Sequence, residues 1–216
     1  MSASVKATLL MLAIGLYGAG QNVAQAFPAD LFGYAEESQQ RLADFPQWLR
    51  VLERQLTDNL QDGDCSARMI NRCHMAEWRR FIDQTRTLPV REQLKAVNLY
   101  ANSRNYVLDL QNYGVEDYWA IPREFLSNGG DCEDYAITKF FSLRWLGLAD
   151  DDLRLVIVQD TNLRVPHAVL AVARGMDVFI LDNQVQAVLS QRDVVHYAPV
   201  FSINEAHWWI HVPRAP

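Results

Sequence analysis

Hydrophobic positions along this chain follow two different periods, and the change comes near residue 150. Before that point, apolar side chains recur at intervals of three and four, which places them on one face of an α-helix. The stretch from Tyr34 to Leu60 therefore predicts one or two helices broken near Pro46. The stretch after Pro89 predicts a long amphipathic helix that extends to Leu110.

A further helix is predicted from Asp131 to Leu146, with Gly147 just after it in the position that favours a left-handed C-cap. This helix follows a turn at residues 127–130, where the sequence Ser-Asn-Gly-Gly ends any preceding regular element. Residues 112–122 are aromatic and irregular, with a glycine and a proline as breakers, so they predict no helix or strand.

After this helix the pattern changes to short runs rich in valine, isoleucine and aromatic residues. Polar turns separate these runs, which is typical of an antiparallel meander. The sequence has no internal repeat, low-complexity tract or flexible linker, so it predicts one α+β domain with helices packed on an antiparallel β-sheet. The predicted strands are Leu153–Val158, His167–Ala173, Val178–Leu181, Val194–Val200 and His207–Val212.

The N-terminus has the features of a secretory signal peptide. Lys6 precedes an apolar run at residues 7–19, and residues 24–26 read Ala-Gln-Ala, a small-x-small cleavage pattern. The apolar run is short for a membrane span, which makes a membrane anchor the less favoured alternative. We therefore predict a signal peptide at residues 1–26 and an exported domain at residues 27–216.

Composition and charge narrow the range of partners. Half of the 216 residues are hydrophobic, which is enough for one folded domain with a sizeable core. The 26 acidic and 20 basic side chains give a formal net charge of −6, and no basic block could follow a run of phosphates. We therefore predict that the protein does not bind nucleic acid.

If the protein is exported, its three cysteines can form disulfides, because an oxidising compartment permits them. Cys65 and Cys73 lie close together in a polar segment that could close into a small ring. Cys132 is then left over. An unpaired thiol in an exported protein is either a buried, inert side chain or a reactive one.

Cys132 lies where helix chemistry favours a thiolate. A glycine turn delivers it onto the first turn of the predicted helix, where unpaired N–H groups and the positive end of the helix dipole stabilise negative charge. The same N–H groups could bind an oxyanion that forms on a substrate carbonyl. The segment reads Gly129-Gly130-Asp131-Cys132-Glu133-Asp134-Tyr135.

Three carboxyl groups flank this cysteine and oppose its ionisation, because like charges close together raise a pKa. Either a protonated histidine or a bound divalent cation could offset them, and oxygen-rich carboxylate clusters favour calcium. The acidic residues are Asp131, Glu133 and Asp134.

His167 and Asp182 are the candidate partners of Cys132 in a catalytic triad. His167 opens a predicted strand, where its ring can face a helix N-terminus across a cleft. Asp182 ends the following strand, and a hairpin would bring its carboxylate to the imidazole. Each residue alone also has a plain structural explanation, but the order of the three supports one geometry. The other histidines are less well placed: His74, His196, His207 and His211.

These segments resemble the bacterial transglutaminase-like cysteine proteinases, and most closely their LapG type. The resemblance covers most of the exported domain and is most specific in the Gly-Asp-Cys-Glu-Asp segment. It implies a papain-like or transglutaminase-like fold with a Cys-His-Asp site at Cys132, His167 and Asp182. The matching segments are residues 113–122, 129–136, 166–170 and 181–183.

The resemblance also implies an activity and partners. It implies a periplasmic, calcium-dependent endopeptidase that cleaves a large surface adhesin near its N-terminus, after a pair of alanines, and so releases cells from a biofilm. In the family the flanking carboxylates hold the metal, which corresponds to Asp131, Glu133 and Asp134 here. An inner-membrane receptor for cyclic di-GMP is expected to sequester the protease, and Trp119 is either a contact for it or a core residue.

Two other functions fit the same residues. An acyltransferase would resolve the thioester with an amine instead of water, whereas a calcium-dependent binding module would have kept the fold without the chemistry. A zinc site built from Cys132, His167 and Asp182 is a further alternative. One sulfur and one imidazole make zinc less favoured than catalysis.

Overall fold

The computed structural model describes residues 27–39, 41–58 and 73–214. The predicted signal peptide at residues 1–26 lies outside these ranges. Cys65 and the side chain of Cys73 also lie outside them, so the small ring stays a prediction. No helix among the described residues is both long enough and apolar enough to cross a membrane.

Most helices precede most strands along the chain. The helices are α1 (Pro46–Thr57), α2 (Cys73–Thr85), α3 (Val90–Asn102), α4 (Asp109–Asn112), α5 (Pro122–Asn128) and α6 (Cys132–Leu146). The strands are β1 (Asp30–Leu31), β2 (Tyr34–Gln39), β3 (Leu153–Asp160), β4 (Val165–Arg174), β5 (Asp177–Leu181), β6 (Leu189–Ser190), β7 (Tyr197–Ile203) and β8 (Trp208–Val212).

The strands form one antiparallel sheet in the order β1-β2-β8-β7-β3-β4-β5-β6. In the central pair, Val158 of β3 lies opposite His167 of β4. In the next pair, Leu170 of β4 lies opposite Leu181 of β5. This register brings the end of β5 close to the start of β4.

Side chains of the sheet alternate between two hydrophobic clusters, as the pleat of a strand requires. On β4, Leu170 and Val172 join the cluster that contains the helices, whereas Val169 and Ala171 join the cluster on the other side. Helix α6 belongs to the first cluster and is buried around most of its circumference. Because α6 is buried, it holds the residues at its N-terminus, which begins at Cys132, in a fixed position.

The first predicted helix is wrong in its N-terminal part. Residues Tyr34–Gln39 form β2, which pairs with β8 and places Ala35 opposite Val212. Helix α1 begins only at Pro46, because a proline ring is compatible with the first turn of a helix. The prediction of helices first and sheet afterwards therefore fails for this strand, whose partner is contributed by the other end of the chain.

The second predicted helix is shorter than expected. Helix α3 ends at Asn102, and Tyr106 forms an isolated bridge with Gly130 instead. The apolar side chains that extended the prediction do not join the core, since Leu110 is 64% exposed. The structure also adds helix α5, in which Pro122 occupies the first turn and does not act as a breaker.

The rest of the predicted order is confirmed. Helix α6 begins at Cys132, and Gly147 ends it with a left-handed φ of 99°. Strands β3, β4, β5, β7 and β8 correspond to the five predicted runs, with ends shifted by a few residues. The fold class, helices packed on an antiparallel sheet, is also confirmed.

Candidate active site

Two glycines shape the turn that precedes Cys132. Gly129 has a φ of +75°, and a Cβ atom on it would lie 2.4 Å from the carbonyl oxygen of Asn105. A Cβ atom on Gly130 would lie 2.1 Å from Oδ2 of Asp134. Side chains are therefore excluded at both positions, and the turn packs against the backbone before α4 and against the first turn of α6.

The Cys132 thiol is free, partly buried, and located at the first residue of α6. Its Sγ donates to Oε2 of Glu133 at 3.3 Å, and the N–H of Ala168 in β4 donates to the sulfur. Burial raises the pKa of the Cys132 thiol above its usual range, and the carboxyl groups of Glu133 and Asp131 raise it further. Unless a positive charge offsets these carboxylates, the protein favours the thiol over the thiolate.

The structure brings His167 and Asp182 into direct contact. Both are buried, and Nε2 of His167 lies 2.9 Å from Oδ1 of Asp182. The N–H of Gln184 also donates to Oδ1 at 2.9 Å, and the hydroxyl of Tyr197 donates to Oδ2 at 2.6 Å. Burial opposes ionisation of Asp182, but the interactions with His167, Tyr197 and Gln184 hold its pKa below the usual range.

Cys132 and His167 line the same cleft, which has a volume of about 230 Å³. A larger cavity of about 820 Å³ lies against the N-terminal strands and contains neither residue, so we assign the chemistry to the smaller cleft. The remaining walls of the cleft are largely apolar, which suits an extended peptide more than a charged small molecule. They comprise Asp117, Trp119, Glu133, Ile157, Pro166, Ala168 and Phe201.

An acidic cluster lies beside the thiol and forms two groups. In each group, carboxylate oxygens lie within 4.8 Å of one another. Burial raises the pKa of Asp109 to about 6, and burial together with Asp131 raises that of Glu133 to about 9. The groups are Asp109 with Asp131 and Asp134, and Asp109 with Asp117 and Glu133.

These groups contain the three predicted metal ligands and two that the sequence did not indicate. Asp109 is the first residue of the short helix α4, and Asp117 lies in the irregular stretch between α4 and α5. Neither lies in a ligand-spacing motif that could have identified it. Asp109 is a member of both groups and therefore links them. Asp134 also has a structural contact, because its Oδ1 accepts from the N–H of Ala120 at 2.7 Å.

The acidic cluster fits a calcium ion. The Oδ1 atoms of Asp109 and Asp131 are buried and accept no hydrogen bond from the described residues. Buried carboxylate oxygens without a donor are costly, and a hard divalent cation satisfies several of them at once. Zinc fits less well, because the cluster offers only carboxylate oxygens, with neither a sulfur nor a histidine.

The other histidines described by the structure have separate surroundings. His74 is partly buried on α2, and its Nδ1 lies 3.5 Å from Oε2 of Glu77. His211 is buried with its Nε2 2.9 Å from the Ser202 hydroxyl, and burial lowers its pKa to about 4. Neither lines the cleft of Cys132.

Trp119 is half-buried and not freely exposed. Its ring packs edge-on against Trp48, with centroids 6.3 Å apart. Its Nε1 donates to Oδ1 of Asp117 at 2.9 Å, and the ring forms one wall of the cleft. The residue therefore combines a core contact with a surface that a bound protein could reach.

A known protein family matches most of the chain. Residues 63–215 match the family described as bacterial transglutaminase-like cysteine proteinase. The chain belongs to this family. Among curated protein sequences, none matches.

Solved structures of the transglutaminase-like cysteine proteinase family are also similar to this chain. Calcium-bound LapG of Legionella pneumophila is 32% identical over 74% of this chain and 87% of its own, with a TM-score of 0.61. The EGTA-treated form of the same protein is 32% identical over 74% of this chain and 84% of its own, with a TM-score of 0.60. The family supports a cysteine protease on this fold.

Proposed function

We propose that this protein is a calcium-dependent cysteine endopeptidase in which Cys132 is the nucleophile, His167 the general acid and base, and Asp182 the residue that orients His167. One observation carries the proposal: Cys132 and His167 share the wall of one cleft, while the far side of the His167 ring is hydrogen-bonded to Asp182. Membership of a cysteine proteinase family supports it.

The contacts of the His167 imidazole support one path for the proton. Because Nε2 of His167 faces Asp182, Nδ1 is the ring nitrogen that remains for exchange with Cys132. His167 takes the thiol proton, the thiolate attacks the peptide carbonyl, and His167 returns the proton to the leaving amine. Water then hydrolyses the thioester, with His167 acting as the base, and the thiol is regenerated.

The start of α6 supplies the oxyanion donor. Cys132 is the first residue of the helix, so its N–H belongs to the unpaired donors that every helix N-terminus presents. The helix dipole adds to the stabilisation of negative charge at this point. Burial of α6 among the helices keeps the donor in a fixed position.

Calcium would be held by the carboxylates of the acidic cluster, and its positive charge would offset the acids that raise the pKa of the thiol. The family supports this assignment, since LapG of Legionella pneumophila has been solved in calcium-bound form. The ligands would be Asp109, Asp117, Asp131, Glu133 and Asp134.

The family resemblance extends the proposal to a substrate and a place of action. We propose a periplasmic enzyme, exported by the peptide at residues 1–26, that cleaves a large surface adhesin near its N-terminus and promotes biofilm release. An inner-membrane receptor for cyclic di-GMP would sequester it. The ring of Trp119 at the rim of the cleft is a candidate contact for that receptor.

The test is cleavage of N-terminal fragments of giant adhesins from the same genome by the purified protein, with and without calcium. We expect one new N-terminus in the products, and loss of cleavage in Cys132→Ala and His167→Ala. His207→Ala is the matched control, because His207 is exposed and lies outside the cleft. Continued cleavage by Cys132→Ala would reject the mechanism.

The same reaction separates hydrolysis from acyl transfer. A labelled primary amine is added together with a protein that carries accessible glutamines, and the products are read by mass spectrometry. Hydrolysis predicts a cut adhesin and no incorporated label. Label on glutamine without a cut would instead assign the chain to acyltransferases.

A further inference from the structure

The carboxylate of Asp182 is held at both of its oxygens. Oδ1 accepts from Nε2 of His167 and from the N–H of Gln184, each at 2.9 Å. Oδ2 accepts from the hydroxyl of Tyr197 at 2.6 Å, and among the described residues no other donor to Oδ2 is present. The backbone oxygen of Asp182 accepts from Nδ2 of Asn102 at 2.8 Å, so the main chain is anchored separately.

Tyr197 is fixed independently of this hydrogen bond. It is the first residue of β7, and its side chain is buried, with the residue 5% exposed. The ring packs edge-on against Phe32 with centroids 6.0 Å apart, and lies 5.6 Å from the His167 ring. The hydroxyl is therefore aimed at Asp182 by a ring that packing already holds in place.

We propose that Tyr197 is a positioning residue of the active site, whose hydroxyl fixes the plane of the Asp182 carboxylate so that Oδ1 stays aligned with His167. The inference rests on the proposed triad. A carboxylate held at one oxygen can rotate about its last torsion, which is broad for an aspartate. A donor on the second oxygen removes that freedom, and alignment of this kind contributes to catalysis.

The Tyr197 hydroxyl remains a hydrogen-bond donor at neutral pH. Burial raises the pKa of Tyr197, and the hydrogen bond and negative charge of Asp182 raise it further. Between the lowered pKa of Asp182 and the raised pKa of Tyr197, the hydroxyl keeps its proton while the carboxylate is ionised. This hydrogen bond also favours the ionised carboxylate, because it is a bond to the charged form.

The experiment compares Tyr197→Phe with Tyr100→Phe in the calcium-loaded protein. Both changes remove only a hydroxyl, and that of Tyr100 lies on α3, where it accepts from Arg104. We expect Tyr197→Phe to lower kcat about tenfold with KM changed less than about twofold, since one hydrogen bond to a charged group is lost. Tyr100→Phe is expected to leave both unchanged.

A double-mutant cycle separates positioning from a general structural role. If Tyr197 acts through Asp182, Tyr197→Phe lowers kcat in the native background and has no further effect in Asp182→Asn. The acidic limb of the activity profile also moves to higher pH in Tyr197→Phe, because Asp182 takes a proton more readily. An equal loss in both backgrounds, an unchanged kcat, or failure of Tyr197→Phe to fold would overturn the inference.

Alkylation of Cys132 by iodoacetamide distinguishes failure of the proposed triad from failure of the role of Tyr197 alone. The alkylation rate is measured by mass spectrometry of the peptide that contains Cys132. The reaction needs no substrate, so it reports the thiolate directly. If His167→Ala leaves the alkylation rate of Cys132 unchanged, the proposed triad itself fails. If His167→Ala slows alkylation while Tyr197→Phe changes neither its rate nor its pH profile, only the role of Tyr197 fails.

Discussion

The two sides of the cleft each contain a buried carboxyl group, but the pKa values of these two groups are shifted in opposite directions. On the sheet side, Asp182 is 5% exposed and its pKa lies below the usual range, because three hydrogen bonds outweigh burial. On the helix side, Glu133 is 9% exposed and its pKa is raised to about 9 by burial and by Asp131. Burial is similar, so the difference comes from the partners.

This difference assigns a separate requirement to each wall. The sheet side is complete within the chain, because His167, Tyr197 and Gln184 satisfy the carboxylate of Asp182. The helix side places acids against other acids and leaves Oδ1 of Asp109 without a donor among the described residues. We therefore expect the sheet side to be independent of calcium and the helix side to depend on it.

Asp182→Asn tests the sheet side and should have the largest effect. An amide cannot stabilise a charged imidazole as a carboxylate does, so we expect kcat to fall by about a hundredfold or more. The calcium concentration that gives half-maximal activity should not change. Steady-state kinetics over a calcium titration measures both quantities. A shifted calcium midpoint would show that the sheet side also influences calcium binding.

Asp109→Asn tests the helix side. Loss of one charged ligand should raise the calcium concentration for half-maximal activity by about 10- to 100-fold, while kcat at saturating calcium recovers most of its value. Asp150→Asn is the matched control, because the pKa of Asp150 is also raised to about 6 but the residue lies outside the acidic cluster. An equal shift in both variants would show that the effect is not local.

The pH dependence of stability sharpens the comparison. Between the ordinary pKa of Glu133, 4.5, and its folded value of about 9, the calcium-free folded chain binds more protons than the unfolded chain. The free energy of unfolding without calcium should therefore fall as pH rises through this window.

Calcium competes with those protons, so the rise in Tm on adding calcium should be greater at about pH 8.5 than at about pH 5.5. Thermal unfolding with calcium and with chelator measures the difference. A Tm gain that is independent of pH would mean that the acids of the cluster are ionised without the metal.

The smallest expected effect is that of replacing Lys139, which tests whether a buried amine lowers the free energy of unfolding. Lys139 is fully buried on α6, its Nζ makes no hydrogen bond with the described residues, and burial lowers its pKa to about 7 although Asp182 opposes the shift. Lys139→Met should raise the free energy of unfolding by about 1 kcal/mol or more, because a buried amine is replaced by an apolar side chain. Urea unfolding measures this.

Lys95→Met is the surface control for that substitution, since Lys95 is exposed and pairs with Glu92. It should change the free energy of unfolding by less than about 0.5 kcal/mol. If Lys139→Met destabilises the fold instead, the amine of Lys139 has a stabilising partner that outweighs its burial.

Local chemistry made some elements predictable. Helix α6 was expected from the glycine turn before Cys132 and from Gly147 after Leu146, because helix ends are set by residues next to them. Strand β2 was missed because its hydrogen-bond partner is β8 at the other end of the chain. The apolar spacing of Tyr34 and its neighbours carries no information about that partner.

The acidic cluster shows the same limit. Asp131, Glu133 and Asp134 were predicted as metal ligands because they adjoin Cys132 in the sequence. Asp109 and Asp117 were not predicted, because they reach the cluster from α4 and from the stretch after it, and packing against α6 and the glycine turn sets the path of this part of the chain. No spacing rule in the sequence connects residues that only the tertiary fold brings together.

By itself the sequence determined the secondary structure around the cleft and the chemical types at its centre: a cysteine at a helix start, acids beside it, and a histidine at the start of a strand. Tertiary structure decided which groups meet, including Tyr197 on Asp182 and Asp109 between the two acidic groups. It also decided that the pKa of Asp182 is lowered while that of Glu133 is raised. The reason is that burial and hydrogen-bond partners, which set these energies, come from segments far apart in the chain.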